Sequence, residues 1–362
     1  MNKKKIRIGF IGLNPDSHWA SRSHIPALKT LTDVFEVKGV ANSTYESAQR
    51  TAKALQIPYA FENVQELIHS GEIDLVVVTV KVPYHYDLVY TALMAGKHVY
   101  CEHPLGNGLE EVERLAALAV SKGVVAVAGT QMAVSSQVIY LQQLVNDGFI
   151  GKVLSTTLIG SGGQWRDETV ADLYYIYEKN KGATMLTIPL GHTLAGLLKV
   201  LGGFDELHSH MFSNYSTVSL KDTGEIKPKT TEDQIMVMGR LKSGAAISIH
   251  YRGGISKGTN FLWEINGSEG DLQVTGTIGH GQLAPLTIYG AGREDKALKL
   301  LSSHAENPIM ENVARMYALI GGDIRNGTRS APTFDDAVAL HRVLQAIEAN
   351  ASRVSSPLDL SA

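Results

Sequence analysis

The chain has 362 residues, of which 44% are hydrophobic and 19% are charged, a composition typical of a folded globular protein of two domains. Its formal net charge of -3 provides no basic field for nucleic acid, and its single cysteine excludes an internal disulfide. No apolar segment reaches the roughly 18 residues that span a bilayer, and no secretory signal follows the amino-terminal lysines. We therefore expect a cytoplasmic protein with neither a membrane nor a nucleic-acid partner.

The first third of the chain alternates predicted strands and helices. A buried strand at 6–11 is followed by a turn and by a helix at about 21–31. The continuous aliphatic run from Leu75 to Val80 predicts a strand buried on both faces, as in a parallel sheet. The other predicted elements continue the βαβ series, with strands at 35–41, 98–102 and 124–128 and helices at 45–55, 64–70, 88–95 and 109–121.

The pattern changes past Gly129. A helix at about 135–146 precedes closely spaced strands separated by glycine-containing turns, which predict an antiparallel sheet. The predicted strands lie at 152–159, 234–241, 245–251, 261–265, 271–274 and 286–289, and helices at about 308–325 and 334–352 follow them. We predict an α/β domain at 1–130 and an α+β domain at 131–362 with an open, mainly antiparallel sheet. In this arrangement the last helix can return to pack against the first domain.

The turn after the first strand occupies the place of the dinucleotide fingerprint G-x-G-x-x-G. Gly12 is kept, whereas Asn14 and Ser17 replace the second and third glycines. The second strand ends at Asn42-Ser43-Thr44, where an acidic residue favours NAD and an arginine favours NADP. The hydroxyls there could bond a ribose or a phosphate, or only cap the next helix. Because neither charge is present, we predict NAD, with NADP tolerated.

Polar side chains follow two of the predicted buried strands. Ligands of open α/β sheets bind beyond the carboxyl ends of the strands, so Thr79, Lys81, His85, Glu102 and His103 should face one crevice. Lys81 there is either a fixed cation for a carboxylate, sulfonate or phosphate of a substrate, or a solvated side chain.

Several motifs carry a family resemblance over nearly the whole chain. They are the Gly9/Gly12 turn, His85, Ala92-Leu93 with Ala95-Gly96-Lys97-His98-Val99, Glu102-x-Pro104, Gly148 to Gly151, Gly191-His192, Trp263 to Gly270 and Thr333 to Ala337. They resemble the glucose-fructose oxidoreductase/inositol dehydrogenase/rhizopine catabolism (Gfo/Idh/MocA) family. The resemblance implies an amino-terminal Rossmann domain, a carboxy-terminal domain with an open antiparallel sheet, and oxidation or reduction of sugars and polyols with NAD(P).

The chain departs from the pattern of the family's active dehydrogenases at two positions. Their Glu-Lys-Pro motif reads Glu102-His103-Pro104, so a histidine replaces the lysine that acts on the reacting hydroxyl. Their aspartate four residues before the family's histidine is Ile188 here, before His192. The first turn, Tyr175-Ile176-Tyr177 and Gly191-His192-Thr193 resemble the branch that includes the fungal galactose-regulon repressor, a dinucleotide-binding member that senses rather than catalyses.

The residue types permit proton chemistry at two histidines. Hydride transfer from a carbinol needs a base, and neutral histidine is suited to that work near pH 7. His103 could therefore replace the lysine, or could only form a hydrogen bond at a strand end. His192 lies in an apolar run, where a lone histidine is commonly a core residue, but its family position supports a functional role. No Cys/His spacing predicts a metal site.

Three functions remain open: an NAD(P)-dependent oxidoreductase of a sugar, polyol or sugar derivative, an NAD-dependent glycoside hydrolase that works by transient oxidation, and a catalytically silent dinucleotide-binding sensor. Aromatic platforms beside Arg and Gln suit a sugar, although aromatic residues in such numbers also pack cores or interfaces. The predicted catalytic residues are His103, His192 and Lys81, the cofactor contacts are Gly12, Asn14, Ser17, Asn42, Ser43, Thr79, His85, Glu102 and Gln131, and the substrate contacts are Trp165, Arg166, Tyr175 and Tyr177.

We also predict a homodimer or homotetramer. An open sheet leaves one face uncovered, and alternating apolar residues need cover on at least one side. Such residues include Ile235, Val237, Ile247 and Ile249.

Overall fold

The computed structural model describes residues 4–16, 19–303 and 307–351. Its first sheet has six parallel strands in the order β3-β2-β1-β4-β5-β6. The strands and their helices are β1 Ile6–Ile11, α1 Trp19–Arg22, α2 His24–Lys29, β2 Phe35–Ala41, α3 Tyr45–Leu55, β3 Tyr59–Ala60, α4 Val64–His69, β4 Leu75–Val78, α5 His85–Met94, β5 His98–Glu102, α6 Leu109–Lys122 and β6 Ala126–Gly129. The strand order reverses between β1 and β4, which is where such sheets bind ligands.

Burial explains why these strands form. All four residues of β4 are buried, and β1 is buried except at Arg7, so helices cover both faces of the sheet. The helix predicted at 21–31 is interrupted at Ser23 and forms the two short helices α1 and α2. Helix α3 begins after Thr44, whose hydroxyl accepts a hydrogen bond from the Ser47 amide.

A second sheet of eight strands follows, in the order β17-β16-β15-β14-β7-β13-β12-β9. Its pairs are antiparallel except β7 with β13, so the predicted fold class is confirmed. The elements are α7 Ser136–Asn146, β7 Val153–Ser161, β8 Glu168–Thr169, α8 Gly191–Leu201, β9 Phe204–Phe212, β10 Thr217–Leu220, β11 Ile226–Pro228, β12 Gln234–Leu241, β13 Ala246–Arg252, β14 Phe261–Gly267, β15 Gly270–Gly276, β16 Leu286–Gly292, β17 Lys299–Ser303, α9 Pro308–Asn326 and α10 Phe334–Ala351. Strands β8, β10 and β11 form a separate small sheet.

The two faces of the large sheet differ in cover. Ile235, Val237, Ile247 and Ile249 are at most 3% exposed and pack with the chain's own helices α7, α8 and α10. The cover that these four residues were expected to need is therefore supplied by the chain's own helices, and the homodimer or homotetramer stays a prediction. The opposite face is uncovered, since Met238 is 64% exposed on it.

The last two helices belong to both halves of the chain. Met316 and Tyr317 of α9 pack under the first sheet. Helix α10 places Phe334 in the core of the first domain and Ile347 in the core of the second. The expected return of the last helix to the first domain is thus present, and α9 makes the same return. The division of the chain after residue 130 stays a prediction.

Across the described residues, no helix combines the length and the apolar composition that crossing a membrane requires.

Candidate functional site

The turn after β1 forms a backbone cradle at the point where the strand order reverses. Gly12 has φ +93°, and a Cβ atom there would lie 2.5 Å from Cγ1 of Val80. The Gly12 amide donates to the Ala41 carbonyl at 3.1 Å, and its carbonyl accepts from the Thr79 hydroxyl at 3.1 Å. Only glycine fits this close approach. Thr79 therefore shapes the turn through its hydrogen bond.

The other predicted residues of the turn have distinct roles. Asn14, predicted to contact the cofactor, has no positive φ, and its Oδ1 accepts from the Asp16 amide at 3.0 Å. Asn commonly forms a local side-chain turn of this kind. Ser17 lies outside the described residues.

Two of the three polar residues at the end of β2 form hydrogen bonds within the protein. The Asn42 side-chain amide donates to the Leu13 carbonyl at 2.8 Å, which fixes the first turn against β2. Thr44 caps α3. Ser43 is exposed.

Glu102, at the end of β5, is held by N–H donors from three side chains. Trp19 Nε1 donates to Oε2 at 2.8 Å, His24 Nε2 to Oε1 at 3.0 Å, and Gln131 Nε2 to Oε1 at 2.8 Å. His24 Nδ1 lies 2.8 Å from the Tyr317 hydroxyl, which donates to it when Nε2 carries the ring hydrogen. The carboxylate is therefore fixed in position beside the strand ends.

His85 does not reach the crevice. It is 1% exposed, and its ring nitrogens lie 2.7 Å from the Pro104 carbonyl and 2.9 Å from the Val80 carbonyl. Burial lowers the pKa of His85, so the neutral ring donates to one of the two carbonyls at a time. His85 was predicted to contact the cofactor. Instead, it joins the loops that follow β4 and β5.

A cluster of four histidines, of which His103, His192 and His341 are buried and His280 is half-buried, lies next to Glu102. The His103 ring is 5.0 Å from the His192 ring and 5.9 Å from the His341 ring. His280 stacks on Trp165, with 6.1 Å between the ring centroids. Each imidazole has a buried nitrogen with no hydrogen-bond partner among the described residues: Nδ1 of His103, His192 and His280, and Nε2 of His341. Unpaired buried polar atoms of this kind commonly mark a site for a polar ligand.

The tautomer of His103 follows from its one hydrogen bond. Its Nε2 lies 2.8 Å from the Thr187 carbonyl, which can only accept, so Nε2 carries the hydrogen and Nδ1 carries the lone pair. A Cβ atom on Gly191 would lie 2.8 Å from this Nε2, so glycine is needed before His192. The ring is thereby oriented with its free acceptor exposed to a ligand.

Burial sets the charge of the cluster. It lowers the pKa of His103 to about 3, with the nearby His341 adding to the effect, and lowers the pKa of His341 to about 4. It also lowers the pKa of His280 and takes that of His192 well below its usual range. All four rings are therefore neutral at pH 7. Within the described residues, no group of three or more potential ligands could hold a metal ion.

These shifts predict loss of stability in acid. Unfolded imidazoles bind protons below about pH 6.5, whereas His103 and His341 stay neutral to about pH 3 and 4. Stability should be full above pH 6.5 and fall as the pH drops, by about 1 to 2 kcal/mol per buried ring between pH 7 and 5. Urea unfolding at both pH values tests this. His341→Leu should weaken the pH dependence; the same dependence in that variant would contradict the assignment.

The predicted substrate residues separate into two groups. Trp165 is 2% exposed and donates from Nε1 to the Ile176 carbonyl at 2.9 Å, and Tyr177 is 0% exposed. These two rings pack in the core, so they do not form the predicted platform for a sugar. Tyr175 is half-buried and lies under Lys81, with 4.4 Å from Nζ to the ring centroid. Arg166 lines a separate groove of about 530 Å³.

Five of the residues that build this site were not predicted from the sequence: Trp19, His24, His280, Tyr317 and His341. Trp19, His24 and Tyr317 surround Glu102, and no spacing in the sequence relates them. His341 did leave a signal, because it interrupts the apolar stripe of α10 between Val338 and Leu344 and is nevertheless buried.

Two family models match the chain. Residues 6–130 match the oxidoreductase family with an NAD-binding Rossmann fold, and residues 136–276 match the Gal80p carboxy-terminal domain. The galactose/lactose metabolism regulatory protein GAL80 of Saccharomyces cerevisiae is 27% identical, with 96% of this chain and 92% of that protein covered. Dehydrogenase aclE of Aspergillus oryzae is 29% identical, with 95% of each covered.

A solved structure agrees with these matches. The crystal structure of a super-repressor mutant of Gal80p from Saccharomyces cerevisiae has a TM-score of 0.90 and 26% identity, with 96% of both chains covered. The similarity thus includes a regulator and a dehydrogenase in the same fold. Residues 6–130 therefore belong to the Gfo/Idh/MocA oxidoreductase family, with an NAD-binding Rossmann fold, and residues 136–276 match the Gal80p carboxy-terminal domain.

Proposed function

We propose that the protein is an NAD-dependent oxidoreductase that oxidises a hydroxyl of a sugar, polyol or sugar derivative. The observation that carries this proposal is the pair of buried ring nitrogens without a hydrogen-bond partner among the described residues, Nδ1 of His103 and Nδ1 of His192, in rings 5.0 Å apart beside Glu102. Two neighbouring ring nitrogens without partners fit a ligand that carries several hydroxyl groups, since a hydroxyl both donates and accepts.

The residues present fit a dinucleotide. The cradle at Gly12, which a Cβ atom would fill, admits a pyrophosphate to the backbone. Gln131 Oε1 is buried without a partner among the described residues and faces the Glu102 side of the site, where an amide or hydroxyl donor would satisfy it. NAD supplies the hydride acceptor when it is bound.

The chain's own residues then handle the hydroxyl. The neutral His103 accepts the hydroxyl hydrogen at Nδ1, while Nε2 stays bonded to the Thr187 carbonyl. His103 would take the O–H proton of the carbinol, and bound NAD would supply the acceptor for its C–H hydride, which leaves a carbonyl product. His192 orients the hydroxyl or its neighbour. Glu102 is the group that accepts a ribose hydroxyl, and Lys81 lies at the rim, over Tyr175.

A panel of sugars, polyols, sugar acids and glycosides tests the proposal. NADH formation is followed by absorbance and aglycone release is followed in parallel. NADH formation with one substrate class is the expected result. Aglycone release without net NADH would favour the glycoside hydrolase, in which oxidation is reversed within one turnover. No turnover with any compound would contradict both enzymes.

A sensor is the second candidate, and a specific observation favours it. Burial lowers the pKa of His103 to about 3, so protonation of this ring is costly, and Ile188 provides no carboxylate to assist. The similarity to the GAL80 regulatory protein adds to this. NAD binding together with a ligand-dependent protein partner and no turnover would support the sensor.

Cofactor choice gives a further prediction. The residues Asn42-Ser43-Thr44 carry no charge to repel or to hold a 2′-phosphate, so we expect NAD to bind, with NADP weaker by less than about tenfold. Calorimetry with both cofactors measures this. Tighter binding of NADP than of NAD would contradict this prediction and would indicate a cationic side chain near the end of β2.

We also propose a homodimer through the uncovered face of the large sheet. Met236 and Met238 on this face are 37% and 64% exposed. Light scattering at micromolar concentration should show a dimer or a dimer of dimers, and Met238→Glu should shift it to monomer. Ile226→Glu is the control, because Ile226 is 72% exposed but lies on the small sheet. A monomeric parent protein would contradict this prediction.

A further inference from the structure

We propose that Lys81 and Lys181 form an anion subsite at the mouth of the crevice, so that the substrate carries a carboxylate or a phosphate group. This inference rests on the proposed oxidoreductase and adds the charge of its substrate.

Lys81 is a cation held in place without being neutralised. It follows β4, is exposed, and its Nζ lies 4.4 Å from the centroid of the Tyr175 ring. Because Tyr175 belongs to the part of the chain after residue 130, this contact joins the two predicted domains. A ring face attracts an ammonium group and leaves its net charge in place.

Lys181 lies in a loop that packs against the residue that follows Lys81. The side chain of Asn107 donates to the Asn180 carbonyl at 2.9 Å, which docks the loop that carries Lys181. A Cβ atom on Gly182 would lie 3.0 Å from Cγ1 of Val82. Lys81 precedes Val82 and Lys181 precedes Gly182, so the two lysines flank this contact.

Neither lysine forms an ion pair with a described residue. Other lysines of the second half do: Lys179 lies 2.5 Å from Glu232, and Lys227 lies 3.0 Å from Glu225. Lys181 is half-buried, so its charge is less compensated by water than that of a fully exposed side chain. An anion at this position would supply the missing partner.

Thr187 connects the lysine pair to the proposed reacting hydroxyl. Its hydroxyl donates to the Gly182 carbonyl at 2.7 Å, and its carbonyl accepts from His103 Nε2 at 2.8 Å. The loop that carries Lys181 and the ring of His103 are thus joined through one residue. A substrate with a hydroxyl at His103 and an anionic group at its far end matches this arrangement.

Calorimetry on the full chain loaded with NAD tests the subsite, with glucose, glucuronate and glucose 6-phosphate as probes. At least one anionic probe should bind about tenfold or more tightly than glucose, and added salt should reduce the difference. The two anions distinguish a carboxylate site from a phosphate site. The double variant Lys81→Met/Lys181→Met should reduce the affinity for the anion to that for glucose.

Lys227→Met is the matched control, because Lys227 also lies over a tyrosine, Tyr174, but is paired with Glu225. It should keep the full preference. Equal binding of glucose and both anions, or binding of none of them at millimolar concentration, would overturn the subsite. So would a preference that survives in the double variant. Failure of the proposed oxidoreductase activity gives a different result. The substrate panel then shows no turnover, while calorimetry still shows the preference for the anionic probe.

Discussion

Replacing His103 by alanine is expected to lower kcat by roughly 10²- to 10⁴-fold on the substrate that the panel identifies, the usual contribution of a positioned acid or base. The ring is 5% exposed, its Nε2 is fixed on the Thr187 carbonyl, and its Nδ1 is buried without a partner among the described residues. NAD affinity should change little, because Glu102 keeps its contacts to Trp19, His24 and Gln131. Single-turnover kinetics and calorimetry measure the two effects separately.

The pH profile distinguishes a base from a packing residue. Burial lowers the pKa of His103 to about 3, so the neutral acceptor is present above about pH 4 and the oxidation rate should be flat from pH 5 upward. His103→Lys places the family's lysine at this position, and its rate should rise toward alkaline pH as the ammonium loses its proton. A wild-type rate in His103→Ala would remove His103 from the mechanism.

Replacing Lys229 by methionine is expected to reduce the free energy of unfolding by about 3 to 5 kcal/mol. The Lys229 side chain is 0% exposed, and its Nζ lies 3.2 Å from Asp233 Oδ2, 2.6 Å from Ser213 Oγ and 2.6 Å from the Thr231 carbonyl. Methionine fills a similar volume but leaves the Asp233 carboxylate buried without its cation. Urea unfolding at pH 7 measures the loss.

Two variants control this experiment. Lys227→Met removes an exposed lysine two positions away, and its loss should be below about 1 kcal/mol. Adding Asp233→Asn to Lys229→Met should recover part of the stability, because the amide is uncharged and its oxygen still accepts from the Asn214 amide, which lies 2.9 Å from the carboxylate. Equal losses for Lys229→Met and Lys227→Met would show that the buried pair contributes little.

The first domain could be predicted closely from the sequence because its elements carry complete local signals. The bounds predicted for β2 and α3 are those observed, since β2 is bracketed by polar turns and α3 has a Thr44 cap. Strand β9, Phe204–Phe212, was not predicted, because its half-exposed residues include Asp205, Glu206 and two histidines that do not resemble a buried strand. Helix α8 was missed because it is apolar on nearly every side.

The candidate site could be predicted only where residues follow strand ends or match a family motif. Glu102, His103 and His192 met those conditions, and the structure brings them together. The contact of His24 with Tyr317 joins residues 293 positions apart, which no local pattern encodes. Trp165 and Tyr177 were assigned to a sugar because composition does not show which way a ring faces; their polar atoms are satisfied inside the core.

The two carboxy-terminal helices have a consequence for synthesis on the ribosome. The Ala128 amide donates to the Pro332 carbonyl at 3.0 Å, and Val127 bridges to Thr333, so the outer edge of β6 is paired by residues made about two hundred positions later. Tyr317 and Phe334 likewise complete apolar cores begun by the first strands. Domains commonly fold while they are being synthesised. Until the carboxy-terminal helices are made, however, the first sheet lacks the partner of its β6 edge and the helices that cover it. The nascent first domain must wait, with apolar surface exposed to chaperones, until α9 and α10 have left the exit tunnel.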